Sequence, residues 1–237
     1  MKNGTQKILI ECFMTMSRVE IFVPAYNGMH ILPMFLDHYQ ERFPGCRINI
    51  FNDNSTDETG DYCRSRGCQV IDYDSEEPKG ISVNHLRNNC WKNSEAEWII
   101  VVDQDELINI SLADLASIED YDVIKFKGYN MIATDSPDPR EFNYGRLHPW
   151  YCKSLMFRKS IGEINYTLGA HTVNPPGEVR WCRYYFTMFH YPKKFYSKDH
   201  FIQEYSLSLP PDIAGDLYDR ETKKLTKLKD LEKTLYL

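Results

Sequence analysis

Four short apolar runs are spaced along the first half of the chain, and segments with helical periodicity lie between them. The runs occupy residues 19–24, 47–51, 69–73 and 98–102. Apolar residues at 31, 35, 36 and 39 predict a helix that ends at Pro44-Gly45, and further helices are predicted at 55–66 and 81–93. Strands and helices that alternate in this order are typical of a parallel sheet covered on both faces. The sequence therefore predicts an α/β fold with a Rossmann-like, mostly parallel sheet.

The second half of the chain is less regular, and its end has a different pattern. Further strands are predicted at 122–126 and 154–157, whereas leucines at 225, 228, 231 and 235 indicate an amphipathic helix. This helix packs on the domain or, as the alternative, binds a partner or a membrane surface. We expect an N-terminal extension at 1–17, one domain at 18–215 with halves 18–110 and 111–215, and the C-terminal helix at 216–237.

Composition and charge narrow the classes of function. The net charge is −6, and no block of Lys or Arg precedes the C-terminal tail, which argues against a polymeric nucleic acid as partner. No window of 18 consecutive apolar residues occurs, so no membrane span is expected. Seven cysteines without CxxC or Cys/His ligand spacing are best explained as reduced thiols, which predicts a cytoplasmic protein.

Acidic residues follow directly on the most apolar of the predicted strands. Asp103, Asp105 and Glu106 come immediately after the run at 98–102. Ligands of open α/β sheets bind at the carboxyl ends of the strands, and crowded carboxylates there repel one another unless a cation lies among them. Carboxylate ligands favour Mg²⁺ or Mn²⁺, which commonly complete their coordination with phosphate oxygens. The alternative interpretation is a solvated acidic loop with a helix cap.

Two other predicted strands also end in polar residues. Asp53 follows the second strand and can accept hydrogen bonds from a nucleobase, while Ser55 or Asp57 can cap the next helix. Pro24, Ala25 and Tyr26 follow the first strand, and they offer backbone groups and an aromatic ring at the same edge of the sheet.

These segments together resemble a known family. The stretches VEIFVPAYN (19–27), INIFNDNSTDET (48–59), the pair Arg87-Asn88 and WIIVVDQDE (98–106) are similar, in order and spacing, to the nucleotide-sugar half of GT-A glycosyltransferases, particularly the family 2-like group. The resemblance implies a GT-A fold and transfer of a sugar from a nucleotide-diphosphate donor, with a UDP-sugar favoured, to a glycan or other hydroxyl acceptor.

The resemblance also implies roles for individual residues. Pro24, Ala25, Tyr26 and Asp53 would bind the base, and Arg87 would lie near the diphosphate or the sugar. Asp103, Gln104 and Asp105 would form the DxD motif, with Asp105 as the direct ligand of Mn²⁺ or Mg²⁺ and Asp103 contacting the ribose or the metal through water. In the second half, the Gly-Ala-His-Thr stretch is similar to a subgroup with a late histidine ligand, which implies His171 as the third ligand; His190 is a lesser candidate.

The resemblance is incomplete on the acceptor side. Asn52 stands where an aspartate is usual, the Glu-Asp pair that often marks the catalytic base is missing, and Gly177 occupies the glutamine position of the processive-synthase motif. A non-processive, inverting enzyme is expected, and His148 could face the acceptor. Candidate bases are Glu163 and Asp135, with Asp138 and Glu141 as further options.

Two other classes of function remain open. A nucleotidyltransferase also uses sheet-edge acids and a metal, but it would need a Gly-rich, basic phosphate loop, which residues 26–29 do not supply. A non-catalytic nucleotide- or carbohydrate-binding module is the third alternative, and the many aromatic residues of the second half suit it.

Overall fold

Four parallel strands form the first half of the sheet, as the periodicity predicts. In the computed structural model, which describes residues 18–76, 78–132, 136, 138–142, 144–192 and 226–227, they lie in the order β3-β2-β1-β4. The strands are β1 (Val19–Ala25), β2 (Arg47–Asp53), β3 (Gln69–Tyr73) and β4 (Trp98–Val101). The helices between them are α1 (Leu32–Arg42), α2 (Thr59–Ser65) and α3 (Lys79–Asn89).

Side chains of β1 alternate between two apolar layers, because successive residues of a strand point to opposite faces. Ile21 and Val23 pack in one layer with Phe35 of α1, and Phe22 packs in the other layer with Trp91, which follows α3. Both faces of the central strands are therefore covered, which explains why β1 and β4 are apolar nearly throughout.

The second half of the chain extends the same sheet with mixed pairing. Its strands are β5 (Glu106–Asn109), β6 (Val123–Ile132), β7 (Tyr144–Leu147), β8 (Met156–Arg158), β9 (Trp181–His190) and β10 (Thr226–Lys227). Antiparallel β8 joins β4 to β6, while β9 runs parallel to β6 and antiparallel to β5. Short 3₁₀ helices lie at Leu112–Ile118, Pro139–Glu141, Pro149–Tyr151, Lys159–Ile161 and Leu168–Ala170. The first half of this curled α/β sheet is thus parallel, as predicted. The second half is largely antiparallel.

The start of α2 uses one of the caps that the sequence offered. The hydroxyls of Ser55 and Thr56 do not cap the helix; the Ser55 oxygen accepts a hydrogen bond from the backbone N–H of Asn27, and Thr56 bonds to the Asn27 side chain. Asp57 supplies the capping carboxylate, which accepts from the backbone N–H of Thr59. The two hydroxyls are therefore used to hold the loop after β1 against the loop after β2.

The predicted C-terminal helix lies almost entirely outside the described residues. Within that segment the structure describes Thr226 and Lys227, and these form β10, which pairs with β7 rather than continuing a helix. The N-terminal extension also lies outside the described residues. No helix in the described part of the chain is long and apolar enough to cross a membrane. All six described cysteines are free thiols, namely Cys46, Cys63, Cys68, Cys90, Cys152 and Cys182.

Candidate active site

A cleft of about 290 Å³ opens at the carboxyl ends of the parallel strands. Its ten lining residues are Pro24, Ala25, Tyr26, Asp53, Tyr73, Val83, Arg87, Asp103, Gln104 and Asp105. Eight of these are the residues assigned to the donor site from the sequence, and they lie at the ends of β1 and β2, in the loops after β1 and β4, or on α3. Parallel strands bring their carboxyl ends to one edge, and this places distant segments of the chain around one concave surface.

Gln104 joins the loops that follow β1 and β4. Its side-chain amide donates to the carbonyl of Tyr26 at 3.1 Å and accepts from the backbone N–H of Tyr26 at 3.0 Å. Gly28 makes room for this contact, because a Cβ there would lie 2.6 Å from Gln104 Oε1. Gln104, the middle residue of the acidic loop, therefore holds the loops after β1 and β4 at a fixed separation. The sequence pattern did not indicate this role.

Asp53 is buried at the end of β2 and is fixed by one neighbour. Its two carboxylate oxygens accept from the backbone N–H of Ser75 at 3.0 Å and from the Ser75 hydroxyl at 2.7 Å. Each carboxylate oxygen can accept more than one hydrogen bond, so the group still has acceptor capacity towards the cleft.

Cations from two other elements neutralise most of the acidic cluster. Arg87 of α3 is ion-paired with Asp103, and the buried Lys153 lies 2.6 Å from Glu106 and 3.9 Å from Asp103. Burial by itself raises the pKa of Asp103, yet the charges of Arg87 and Lys153 outweigh it and lower that pKa to about 2. Burial likewise lowers the pKa of Lys153, but Glu106 and Asp103 raise it above its ordinary value. Two of the three acids thus coexist through side chains of the protein itself.

Asp105 has a different partner. Its Oδ2 atom lies 3.5 Å from Nε2 of His190, at the end of β9, and the Tyr151 ring stacks on the imidazole at a centroid distance of 3.9 Å. The pairing of β5 with β9 produces this contact, because Glu106 is in register with His190 and the Tyr191 N–H donates to the Asp105 carbonyl at 2.8 Å. Among the three acids, Asp105 therefore lies beside an imidazole, whereas Asp103 and Glu106 are paired with Arg87 and Lys153.

The donor set of Asp105 and His190 fits a divalent cation. Bonds of about 2.1 Å to one ion place two ligand atoms roughly 3.0–3.4 Å apart, close to the separation between these two atoms. No group of three or more His, Cys, Asp or Glu side chains within metal-binding reach occurs among the described residues. A protein site with two ligands leaves the remaining coordination positions of the ion for phosphate oxygens and water, as is common where a metal binds together with a phosphate-containing substrate.

Several predicted residues do not join this cluster. His171 is absent from the cleft lining, and its Nδ1 atom hydrogen-bonds to the carbonyl of Trp150 at 2.8 Å. The predicted set of Asp103, Asp105 and His171 therefore does not form one ligand group in the described structure; His190 takes the position beside Asp105. The sequence ranked His171 above His190, because the strand pairing that brings His190 to the acidic loop leaves no local signal.

The candidate bases also lie apart from the cleft lining. Glu163 forms a surface ion pair with Lys92 at 2.7 Å, and Asp138 accepts a hydrogen bond from the backbone N–H of Arg140. Glu141 is exposed, and Asp135 lies outside the described residues. None of the described candidates is among the residues that line the cleft.

Sequence reasoning missed four residues of this region. Tyr73 and Val83 line the cleft, Lys153 neutralises Glu106, and Tyr151 orients His190. Tyr73 was detectable as the last residue of a predicted strand that ends at the same edge. The other three had no local signal, because they are brought in by α3 and by the irregular second half.

The part of the chain that forms the cleft matches a model of a known protein family. Residues 20–123 match the family model described as "Glycosyl transferase family 2", and all ten lining residues fall inside this range. No curated protein sequence matches the chain.

Several solved structures share similarity with this chain. S. aureus TarS is 14% identical with a TM-score of 0.45, over 87% of this chain and 44% of that one, so the chain spans less than half of its length. The fragment 1–349 of S. aureus TarS is 17% identical with a TM-score of 0.47, over 86% of this chain and 72% of that one. The mannosyltransferase PcManGT from Pyrobaculum calidifontis, in complex with GDP-Man and Mn²⁺, is 14% identical with a TM-score of 0.43, over 86% and 68%.

Proposed function

We propose, from the match of residues 20–123 to the model of glycosyl transferase family 2, that this chain transfers a sugar from a nucleotide-diphosphate donor to an acceptor hydroxyl in a reaction that depends on a divalent metal. The observation that carries the proposal is the cleft, which gathers the base-side residues, Arg87 and the acidic loop on one concave surface. UDP is the nucleotide we favour, and the reaction is non-processive and inverting.

The base and ribose would occupy the part of the cleft formed by the loop after β1. The Tyr26 side chain is 51% exposed there, with the Lys79 ammonium 5.4 Å from its ring centroid. Asp53, already oriented by Ser75, would accept from a base N–H group. An aromatic face and a fixed acceptor are suited to a planar base with donor groups on its edge.

Asp105 and His190 would hold Mn²⁺ or Mg²⁺ against the diphosphate. When bound, such an ion neutralises the charge that develops on the departing diphosphate as the glycosidic bond breaks. Arg87 and Lys153 are fixed cations at the same end of the cleft, and their ion pairs with Asp103 and Glu106 keep them in place without a change of conformation.

Asp103 would orient the donor rather than accept a proton. With a pKa of about 2 it stays ionised at neutral pH and is a weak base. The base that activates the acceptor hydroxyl would therefore be another residue; the predicted candidates are Asp135 and Glu163, and Glu163 would have to leave its ion pair with Lys92 to act. An acceptor held in line with the leaving group would then attack the anomeric carbon from the opposite face, with inversion.

The test separates transfer from mere nucleotide binding. Calorimetry with UDP is done with and without Mn²⁺, and UDP-sugar hydrolysis without acceptor is followed by release of UDP. We expect Mn²⁺ to increase UDP affinity at least tenfold, and Asp105→Asn to remove that increase while leaving the fold intact. Asp61→Asn is the matched control, because Asp61 is an acid on the exposed face of α2.

Two outcomes would reject the proposal. The metal-dependent donor site is wrong if Asp105→Asn binds UDP with the full effect of Mn²⁺. A chain that binds UDP with Mn²⁺ but never cleaves a UDP-, GDP- or dTDP-sugar would instead be a binding module.

A further inference from the structure

Asn130 and His190 form a buried pair behind the candidate metal site. They are in-register partners of the parallel strands β6 and β9, and their exposures are 2% and 7%. Nδ1 of His190 lies 2.7 Å from Oδ1 of Asn130. Neighbours across a strand pair point to the same face, so the amide reaches the side of the imidazole that is turned away from Asp105.

This contact determines where the histidine carries its proton. An amide oxygen can only accept a hydrogen bond, so Nδ1 of His190 must donate. In a neutral imidazole the other nitrogen, Nε2, then has a free lone pair, and that atom faces Oδ2 of Asp105 at 3.5 Å. A lone pair and a carboxylate oxygen that face each other are two acceptors, and a cation between them removes the repulsion.

The separation between Nε2 of His190 and Oδ2 of Asp105 also fits a cation held between the two atoms. Two ligand atoms of one divalent ion lie roughly 3.0–3.4 Å apart, close to the 3.5 Å observed here. Tyr151, stacked on the ring with an interplanar angle of 25°, prevents the imidazole from tilting out of this arrangement.

We propose that Asn130 is a positioning residue, which fixes the Nδ1–H tautomer of His190 and so presents Nε2 as a ligand for a divalent cation shared with Asp105. The inference rests on the proposed function, because the cation it concerns is the one that the donor diphosphate would bind. Partners that orient the second nitrogen of a ligating histidine typically change metal affinity 10–100-fold when they are removed.

The experiment compares three variants by metal affinity and by tautomer. Asn130→Leu removes the acceptor, Asn130→Asp retains one, and Asn49→Leu is the matched control. Asn49 is another buried strand amide, 4% exposed, and it bonds to Glu20 and the Ile21 carbonyl away from the cleft. Mn²⁺ affinity in the presence of UDP is measured by electron paramagnetic resonance, and the His190 tautomer of the metal-free protein is measured by ¹⁵N NMR at pH 8.

We expect the wild-type imidazole to carry its proton on Nδ1, and Asn130→Leu to shift it towards Nε2 with a 10–100-fold loss of Mn²⁺ affinity. Asn130→Asp should stay within a few-fold of the wild type, and Asn49→Leu should lose stability but no Mn²⁺ affinity. UDP affinity without metal should be the same in all of them. If Asn130→Leu does not fold, Asn130→Ser, which keeps a smaller hydroxyl acceptor, is expected to show an intermediate loss.

Two results would overturn the role of Asn130 alone. One is a wild-type imidazole protonated on Nε2. The other is Asn130→Leu with wild-type Mn²⁺ affinity while His190→Ala loses it. If the wild type itself binds no Mn²⁺ with UDP, the proposed function fails instead, which keeps the two failures distinct.

Discussion

Lys153→Met tests the charge balance beneath the cleft. The Lys153 ammonium is 3% exposed and lies 2.6 Å from Glu106, whose side chain is 2% exposed. Glu106 also accepts from the backbone N–H of Asp103 at 3.1 Å, and so connects the lysine to the start of the acidic loop. Methionine has a similar length without the charge, so the substitution leaves a buried carboxylate without its cation.

The expected cost is large compared with that of a surface ion pair. At an effective dielectric constant of 20, two unit charges at this separation attract with about 6 kcal/mol, and the cost of burying both ions offsets much of that energy. Removal of one partner of a buried pair costs about 3–5 kcal/mol, because the remaining ion is uncompensated. We therefore expect Lys153→Met to lower the free energy of unfolding by about 3–5 kcal/mol.

The double variant Lys153→Met/Glu106→Gln separates charge from packing. The introduced glutamine is neutral and its amide oxygen can still accept from the backbone N–H of Asp103, so the double variant should recover to within about 1–2 kcal/mol of the wild type. Equilibrium urea unfolding followed by circular dichroism gives all the values, including that of Glu106→Gln alone. Arg64→Met, which breaks an exposed pair with Asp61, is the control and should cost less than about 1 kcal/mol.

Two results would refute this reasoning. A loss below about 1 kcal/mol for Lys153→Met would mean that Glu106 does not depend on the lysine. A double variant as unstable as the single one would mean that the lost packing of the lysine stem, rather than its charge, causes the effect.

Two further predictions concern other parts of the same half of the protein. Burial lowers the pKa of His38 to about 4, so the unfolded chain binds a proton on this imidazole at a higher pH than the folded chain does. The free energy of unfolding should therefore fall by up to about 3 kcal/mol as the pH drops from 6.5 towards 4. His38→Gln, which can still donate to the Ile108 carbonyl, should flatten that slope in acid titrations of unfolding, and an unchanged slope would contradict the assignment. Gln104→Ala removes both hydrogen bonds to Tyr26 and should cost about 1–3 kcal/mol and weaken UDP binding several-fold in calorimetry. Gln40→Ala, which loses comparable bonds to Arg66 away from the cleft, should affect stability only, and equal UDP affinities for the two variants would disprove the role of Gln104.

The first half of the fold was predictable because its signals are local. Each apolar run is long enough for one strand, and β3 begins and ends at the predicted residues. The polar residues at the strand ends then identified the lining of the cleft, since parallel strands must bring those ends to one edge. The sequence left the cap of α2 open because neighbouring residues can all accept hydrogen bonds, and the contacts of Ser55 and Thr56 with Asn27 leave Asp57 as the cap.

The amino-acid sequence is therefore sufficient to identify the apolar segments that must be buried and the groups after each of them that can bind a ligand. The partners that balance the acids are known only once the chain is folded. Arg87 and Lys153 reach Asp103 and Glu106 from 16 and 47 residues away, and the pairing of β5 with β9 selects His190 as the partner of Asp105. The reason is physical: a charge or a metal ligand acts over a few ångströms in space, and which residues come that close is set by strand pairing and helix packing far along the chain.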